Sequence, residues 1–385
     1  MDYLLNQEQI KLQNLARQIA EEKIKPVAAQ YDASEEFPWE IMEILAENDF
    51  FRIYIDKEDG GLGMGIMGLV LATEELSRAC GGIALGFAGT ALGVMPLFLA
   101  GSPEQKKKFL PDLISGKSLG AFGITEPEAG SDAGNIKTTA IKDGNSYVLN
   151  GGKIFITNGG QAKFYTIIAS TDPSRGSRGA SAFIVEDGTP GFTYGKKYEK
   201  LGIRGSATCE LIFEDCRIPI ENLLGREGMG FLIAMRTFDR ARPGVAAQAI
   251  GIAQGALDYA VQYSRRTFRF GQPLSSYQSV QSKLAEMGTK VEAARALTYS
   301  VARMIDQGEK EIAKASAMTK LFCSDVAMDV TMEAVSICGD RGVVKGCAVE
   351  KFVRDAKITQ IYEGTNEIQR EVIGRHLIKE AASLK

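Results

Sequence analysis

The spacing of apolar residues changes twice along the chain, and any fold must accommodate both changes. In the first third, Ile10, Leu12, Leu15 and Ile19 recur at helical intervals, Pro26 interrupts, and a second helical run covers about Trp39 to Glu47 after the turn SEEFP. Residues 66–79 and 103–115 continue the pattern, the latter opening on Ser102-Pro103 with proline just inside the helix start. From Phe122 the period shortens. The β-type runs SYVLN, KIFIT, FYTIIAS, SAFIVE, GFTYGK and ATCELIFED alternate with turn pairs such as Asp143-Gly144, Asn150-Gly151 and Asp187-Gly188. After Gly230 helices return, with Ile250, Gln254, Leu257 and Val261 on one face and Val291, Ala294, Thr298, Val301 and Ile305 on another. The pattern predicts an α+β chain, mostly α, in three parts: a helical N-terminal domain (1–121), an antiparallel β-barrel or sandwich (122–230) and a C-terminal helical bundle (231–385).

Composition narrows the function classes. Lys+Arg number 45 against 48 Asp+Glu, for a net charge of −3, which argues against a polyanion-binding surface and so against a nucleic-acid partner. Six cysteines carry no C-x-x-C pair and His376 is the sole histidine, so a zinc site, a Ser-His-Asp triad and a Cys-His dyad are not expected, and no metal is. Scattered thiols and an opening MDYLLNQEQI without secretory character lead us to expect a cytoplasmic protein. The stretch 79–103 lacks charge and is long enough to span a bilayer, yet it holds Gly81, Gly82, Gly86, Gly89, Gly93 and Pro96, so we expect a buried helix and loop and no membrane span.

Three segments carry candidate chemistry. Gly63-x-Gly65-x-x-Gly68 satisfies a dinucleotide fingerprint, but without flanking βαβ pattern or a downstream carboxylate it reads as a connecting loop. Thr125 to Asp132, where helices give way to strands, combines small hydroxyls with Gly130 and can turn N–H groups toward an acceptor-rich ligand. Glu363, between Tyr362 and Gly364, can sit in a partly apolar pocket where desolvation raises its pKa, as suits a base that abstracts a carbon-bound proton. Taken singly, the last two also read as an ordinary turn and a surface loop.

Together with Lys153-Ile154-Phe155-Ile156-Thr157-Asn158, Phe238-Asp239-Arg240-Ala241-Arg242-Pro243 and Phe270-Gly271-Gln272-Pro273-Leu274, these segments resemble the acyl-CoA dehydrogenase family over nearly the whole chain. The resemblance implies a middle β-barrel, a C-terminal four-helix bundle and a homotetramer built as a dimer of dimers, with FAD bound partly across a subunit interface. It also implies α,β-dehydrogenation of an acyl-CoA, electrons passing to an electron-transferring flavoprotein. By that likeness Glu363 removes the α-proton while a hydride leaves the β-carbon for flavin N5, and the Glu363 N–H helps hold the thioester carbonyl. Phe122, Ile124, Thr125, Gly130, Ser131, Phe155 and Thr157 match flavin contacts, and Thr365, Asn366 and Glu367 match the nucleotide end of FAD. Arg269, Phe270, Gln278 and Gly339 match contacts to FAD from the neighbouring subunit's side. Ser131, Phe238, Asp239, Arg242, Tyr362 and Gly364 match substrate contacts, and the helix from Ile83 to Leu99 would line an unsubstituted aliphatic tail.

Two positions depart from the family pattern: Thr267 stands where an arginine is usual, and Asp340 where a second glycine is usual. Arg269 or Arg341, beside them, can supply the missing grip on pyrophosphate. Two other readings stay open: a member running as an enoyl-CoA reductase, and a non-catalytic member serving as a binding or assembly partner.

Overall fold

A computed structural model describes residues 3–383. The N-terminal third folds as α1 (Gln7–Ile19), α2 (Ala28–Ser34), α3 (Trp39–Glu47), α4 (Gly65–Ala79), α5 (Gly81–Ala100) and α6 (Pro103–Ile114). Helix α1 buries Leu12, Ala16 and Ile19 and leaves Ile10 exposed. Asn6 and Gln9 close a capping box at its start, as Ser102 and Gln105 do ahead of Pro103 in α6. The uncharged stretch is one continuous helix, α5, instead of helix and loop. It is long and apolar enough to cross a membrane, yet it is mostly buried inside the protein. Its glycines allow close approach: a Cβ on Gly93 would lie 2.4 Å from the Ala121 nitrogen, so strand and helix pack backbone to backbone.

The Gly63–Gly68 segment opens α4 as a helix–helix junction, in agreement with the loop reading. The Asp306 carboxylate accepts from the Ile66 and Met67 N–H groups at 2.7 and 2.9 Å, so this helix N-terminus already holds an anion.

The middle segment contributes β1 (Gly120–Gly123), β2 (Thr139–Asp143), β3 (Ser146–Thr157), β4 (Phe164–Ser170), β5 (Ala180–Glu186), β6 (Phe192–Lys197), β7 (Thr208–Pro219) and β8 (Leu223–Leu224). They form one sheet in the order β6-β7-β3-β2-β4-β5-β8, with β1 on β4. No pairing among the described residues joins β6 to β8, so the sheet is open and the expected closed barrel is not found. Nor is it wholly antiparallel: β1 arrives from α6 without a hairpin and runs parallel to β4, as β2 does at Thr139–Ser170. Asn150-Gly151 is likewise no turn. It is an irregularity inside the 12-residue β3, where the register against β7 shifts between Leu149 and Gly151.

The C-terminal part holds α7 (Gly230–Arg266), a small hairpin of β9 (Phe268–Arg269) and β10 (Gln272–Pro273), α8 (Gln278–Asp306), α9 (Ala313–Cys338), α10 (Ala348–Ile358) and α11 (Asn366–Ser383). The expected bundle therefore has α7, α8 and α9 as long members, with α10 and α11 both packed on α9. Helix α7 touches α4, α5, α8, α9 and α10, which explains why its middle is buried nearly all round and rich in alanine. The face through Gln254, Leu257 and Val261 is only partly buried, whereas the predicted α8 face is fully so.

Polar ties join the three parts. Glu74 of α4 accepts from Arg295 and Tyr299 of α8 at 2.7 and 2.8 Å. On α10, Asp355 accepts from the Ile203 N–H at 2.6 Å, and Arg354 reaches Asp32 at 2.7 Å and the Leu201 carbonyl at 3.0 Å. One short helix thus holds both the N-terminal third and the loop between β6 and β7.

Candidate active site

Where α5, α7, β1, β3 and α11 converge, they enclose a cavity of about 730 Å³. On α7, Phe238, Ala241, Arg242, Val245 and Gln248 face it at helical intervals, and on α5 Leu85, Ala88, Gly89, Leu92 and Met95 do so. Phe122 and Ile124 come from the end of β1, and Phe122 meets Phe238 edge to face with ring centroids 5.6 Å apart. Thr125, Gly130 and Ser131 follow on the loop, while Phe155 and Thr157 come from the end of β3.

The turn between α10 and α11 carries Tyr362, Glu363 and Gly364 into the same cavity. Glu363 has φ +52° and Gly364 φ +92°, both left-handed. A φ of +92° is one that side chains other than glycine's rarely adopt, which favours glycine at 364. The Asn366 N–H donates to the Gln360 carbonyl at 3.0 Å, closing the turn, and Thr365 Oγ1 accepts from the Ile368 N–H at 3.4 Å as α11 begins. Strain of this kind persists only where the surroundings hold it.

The Glu363 side chain is the electrostatic centre. As a wall of the cavity the residue is partly accessible, yet Oε2 is enclosed and has no hydrogen-bond partner. Burial pushes its pKa up to about 7, against the opposing pull of Arg242 and Lys320. Arg242 does not bond the carboxylate: Nε points to the Glu363 carbonyl at 3.5 Å and Nη1 holds Asp239 at 3.0 Å. Tyr362 donates its hydroxyl to Gln248 Oε1, and Gln248 Nε2 donates to the Gly81 carbonyl at 2.8 Å.

Not every anticipated residue reaches the cavity. Asp239, Thr365 and Glu367 lie outside its lining, and Asn366 is a buried strut that donates to Ser324 and Asp325 of α9 at 2.9 and 2.8 Å. Arg269, Phe270, Gln278 and Gly339 are exposed and remote from the lining, Phe270 being 98% exposed. Arg269 Nη1 donates to the Phe268 carbonyl at 3.0 Å, and Asp340 accepts from the Arg341 N–H at 2.9 Å.

Residues that sequence reasoning passed over complete the surroundings. Lys320, on the buried face of α9, donates to the Gly364 carbonyl at 2.8 Å and to Asn366 Oδ1 at 2.9 Å. Behind Thr125, the Lys153 ammonium meets Glu126 at 2.5 Å and the Ile124 carbonyl at 3.2 Å, both side chains being buried. A lysine on the apolar stripe of a helix, and a lone glutamine in the alanine-rich run of α7, were the available signals.

Family models for the acyl-CoA dehydrogenase N-terminal, middle and C-terminal domains match residues 6–117, 121–216 and 228–378 in turn. The chain belongs to the acyl-CoA dehydrogenase family. It is 49% identical to the acryloyl-CoA reductase (NADH) of Anaerotignum propionicum, over 98% of this chain and 96% of that one. The solved butyryl-CoA dehydrogenase of Megasphaera elsdenii superimposes with TM-score 0.95 at 46% identity, covering 98% of this chain and 100% of that one. A chain from the structure described as "Electron transferring flavoprotein of Acidaminococcus fermentans: Towards a mechanism of flavin-based electron bifurcation" gives TM-score 0.96 at 46% identity, covering 98% and 99%.

As an acyl-CoA dehydrogenase the protein is an FAD-dependent oxidoreductase, and the cavity's residues fit the cofactor. Phe155, at φ +58°, is 58% exposed beside the cavity and packs on Tyr198 with centroids 4.5 Å apart, leaving an aromatic face for a flat ring to cover. A Cβ on Gly130 would meet nothing within 4 Å, so that loop has open space in front of its backbone.

Proposed function

We propose that this acyl-CoA dehydrogenase removes the α-proton of a short, unsubstituted aliphatic acyl-CoA with Glu363, forming the trans-2-enoyl-CoA. The observation that carries the reading is the enclosed Glu363 Oε2, without a hydrogen-bond partner among the described residues, on a side chain that belongs to the cavity lining and titrates at about 7. When bound, FAD supplies the acceptor for the two electrons that leave the β-carbon. Everything else falls to the chain. Ser131, Phe238, Asp239, Arg242, Tyr362 and Gly364 frame the thioester, while Phe122, Ile124, Thr125, Gly130, Phe155 and Thr157 frame the flavin. The Glu363 N–H donates to no backbone carbonyl, which leaves it free for the thioester oxygen as negative charge develops there. The apolar side chains of α5 exclude water and strengthen these interactions.

Acyl length follows from the cavity's inner end. Its lining on α5 begins at Leu85 and on α7 stops at Gln248, where Gln248 is fixed between Tyr362 and Gly81. A hydrogen-bonded polar pair there ends the apolar channel, which favours a tail of about four carbons. The butyryl-CoA dehydrogenase likeness supports the same length.

The reading extends to assembly and partners: domains 1–121, 122–230 and 231–385, a homotetramer in the cytoplasm, and transfer of electrons to an electron-transferring flavoprotein. Exposed Phe268, Phe270, Phe322, Met332, Val343 and Val344 support burial against other subunits. Arg269, Phe270, Gln278, Gly339, Thr365 and Glu367 would then meet FAD at that interface, with the buried Asn366 holding the turn behind them. The likeness to a chain from an electron transferring flavoprotein structure supports the partner.

Anaerobic addition of butyryl-CoA should bleach the flavin band of the purified holoenzyme, and Glu363→Gln should abolish bleaching while still binding the thioester. Bleaching by Glu363→Gln at the wild-type rate overturns the assignment. The likeness to an acryloyl-CoA reductase supports a second reading, reduction of a short enoyl-CoA with protonated Glu363 returning the α-proton. Faster turnover with a reduced acceptor and crotonyl-CoA than in the oxidising direction distinguishes it.

A further inference from the structure

Lys320 is fully buried on α9 and is not itself a lining residue of the cavity. Its ammonium is nevertheless aimed at the catalytic turn, 2.8 Å from the Gly364 carbonyl and 2.9 Å from Asn366 Oδ1. Burying a cation costs several kcal/mol unless it is paired, and no carboxylate lies within salt-bridge distance of this one among the described residues. Two neutral acceptors are a poor return for structure alone. Methionine of similar length would pack the same space without the penalty.

We propose that Lys320 is a positioning residue for proton abstraction: its ammonium fixes the left-handed Glu363-Gly364 pair through the Gly364 carbonyl and supplies buried positive charge that keeps the Glu363 carboxylate ionised. The inference rests on the reading of Glu363 as the base. Two features of the site support it. First, Arg242 is committed to Asp239 and to the Glu363 carbonyl, so its charge is partly spent. Second, Asn366 Nδ2 donates to Ser324 and Asp325, which orients Oδ1 toward Lys320 and fixes the ammonium beside the turn.

The charged groups acting on Lys320 come from every side: Glu363 on the turn, Arg242 on α7, Asp325 on α9 itself and Glu367 on α11. Burial pulls Lys320 down to about 7, Arg242 adds to the fall, and the three carboxylates oppose it. Glu363 and Lys320 therefore titrate in the same range, and each favours the charged form of the other.

The test is the acid limb of kcat/KM against pH, measured on FAD-loaded enzyme with butyryl-CoA and an artificial acceptor. Lys320→Gln keeps a donor for the Gly364 carbonyl but removes the charge. It should move the limb upward by about one pH unit and lower the rate at pH 7 by about fivefold, with recovery at high pH and FAD content unchanged. Lys320→Arg, which keeps the charge, should leave the limb near its wild-type position. If Lys320→Gln fails to fold, Asn366→Asp serves instead, since a carboxylate paired with Lys320 cancels the same charge and should move the limb the same way. A limb that stays in place in the folded variant overturns the proposal. Glu363→Gln run in parallel separates the two claims: wild-type activity in that variant refutes the base itself, whereas an inactive Glu363→Gln beside an unshifted Lys320→Gln refutes only the role of Lys320.

Discussion

Arg242 and Glu363, 121 residues apart, meet through the guanidinium and the Glu363 main-chain oxygen, not through the carboxylate. Had the guanidinium gripped the carboxylate in a bidentate pair, Glu363 would be a weak base held far below its present pKa. The side-on contact holds the backbone and leaves Oε2 without a partner.

Because Glu363 must be ionised to accept a proton and titrates at about 7, kcat/KM should rise with pH through that value. About a pH unit below it, each further unit should cost roughly tenfold. Initial rates with butyryl-CoA between pH 5.5 and 8.5 check this, and a flat profile across the range contradicts the assignment.

The same burial carries a stability cost. Glu363 titrates at about 7 in the folded protein, against 4.5 for an ordinary glutamate. The native state therefore binds the proton more tightly, and its stability falls as pH rises from 4.5 through 7. Glu363→Gln should match the wild type at low pH and exceed it above pH 7, by on the order of 3 kcal/mol at most. Chemical denaturation of the FAD-loaded proteins at pH 4.5 and pH 8 reads the difference, and equal stabilities at pH 8 would contradict the cost.

On the proposed reading Gln248, bonded to Tyr362 and to the Gly81 carbonyl, sets the inner limit of the channel. Gln248→Ala should open room for about two more carbons and raise kcat/KM for hexanoyl-CoA relative to butyryl-CoA by roughly tenfold or more. A ratio unchanged from the wild type places the limit elsewhere.

The Lys153–Glu126 pair lies behind the Thr125 loop, where Glu126 also accepts the Lys137 and Thr138 N–H groups at 2.6 and 3.1 Å. Lys153→Met leaves a buried carboxylate without its cation and should cost roughly 3–5 kcal/mol by urea denaturation, whereas Lys153→Met with Glu126→Gln should recover part of it. Non-additivity of this sign is what a contacting pair requires.

The helices, and the turn that carries Glu363, could be read from the chain because their signals are local. Trp39–Glu47 follows from spacing after the turn that ends at Pro38, and Pro103–Ile114 from spacing and from the Ser102–Gln105 capping box within its first turn. Glu363 was found through its neighbours Tyr362 and Gly364, and Gly364 is fixed by a φ that glycine alone tolerates well. Sheet closure failed for the opposite reason: whether β6 meets β8 depends on strand placement in space, and Asn150-Gly151 carries the same letters whether it forms a hairpin or an irregularity within β3. Lys320, Gln248 and Lys153 stayed hidden because each is a single polar side chain on an apolar face, given meaning only by a partner at least 27 residues away.

Helix α10 ends just before the turn that carries Glu363, and it is bolted to Asp32, Leu201 and Ile203. Proper seating of the base therefore requires that the N-terminal third and the sheet have already docked. The position of the Glu363 turn is thus set by contacts made with two other parts of the chain, so a change at Asp32 or in the loop between β6 and β7 reaches the cavity through α10 without touching it.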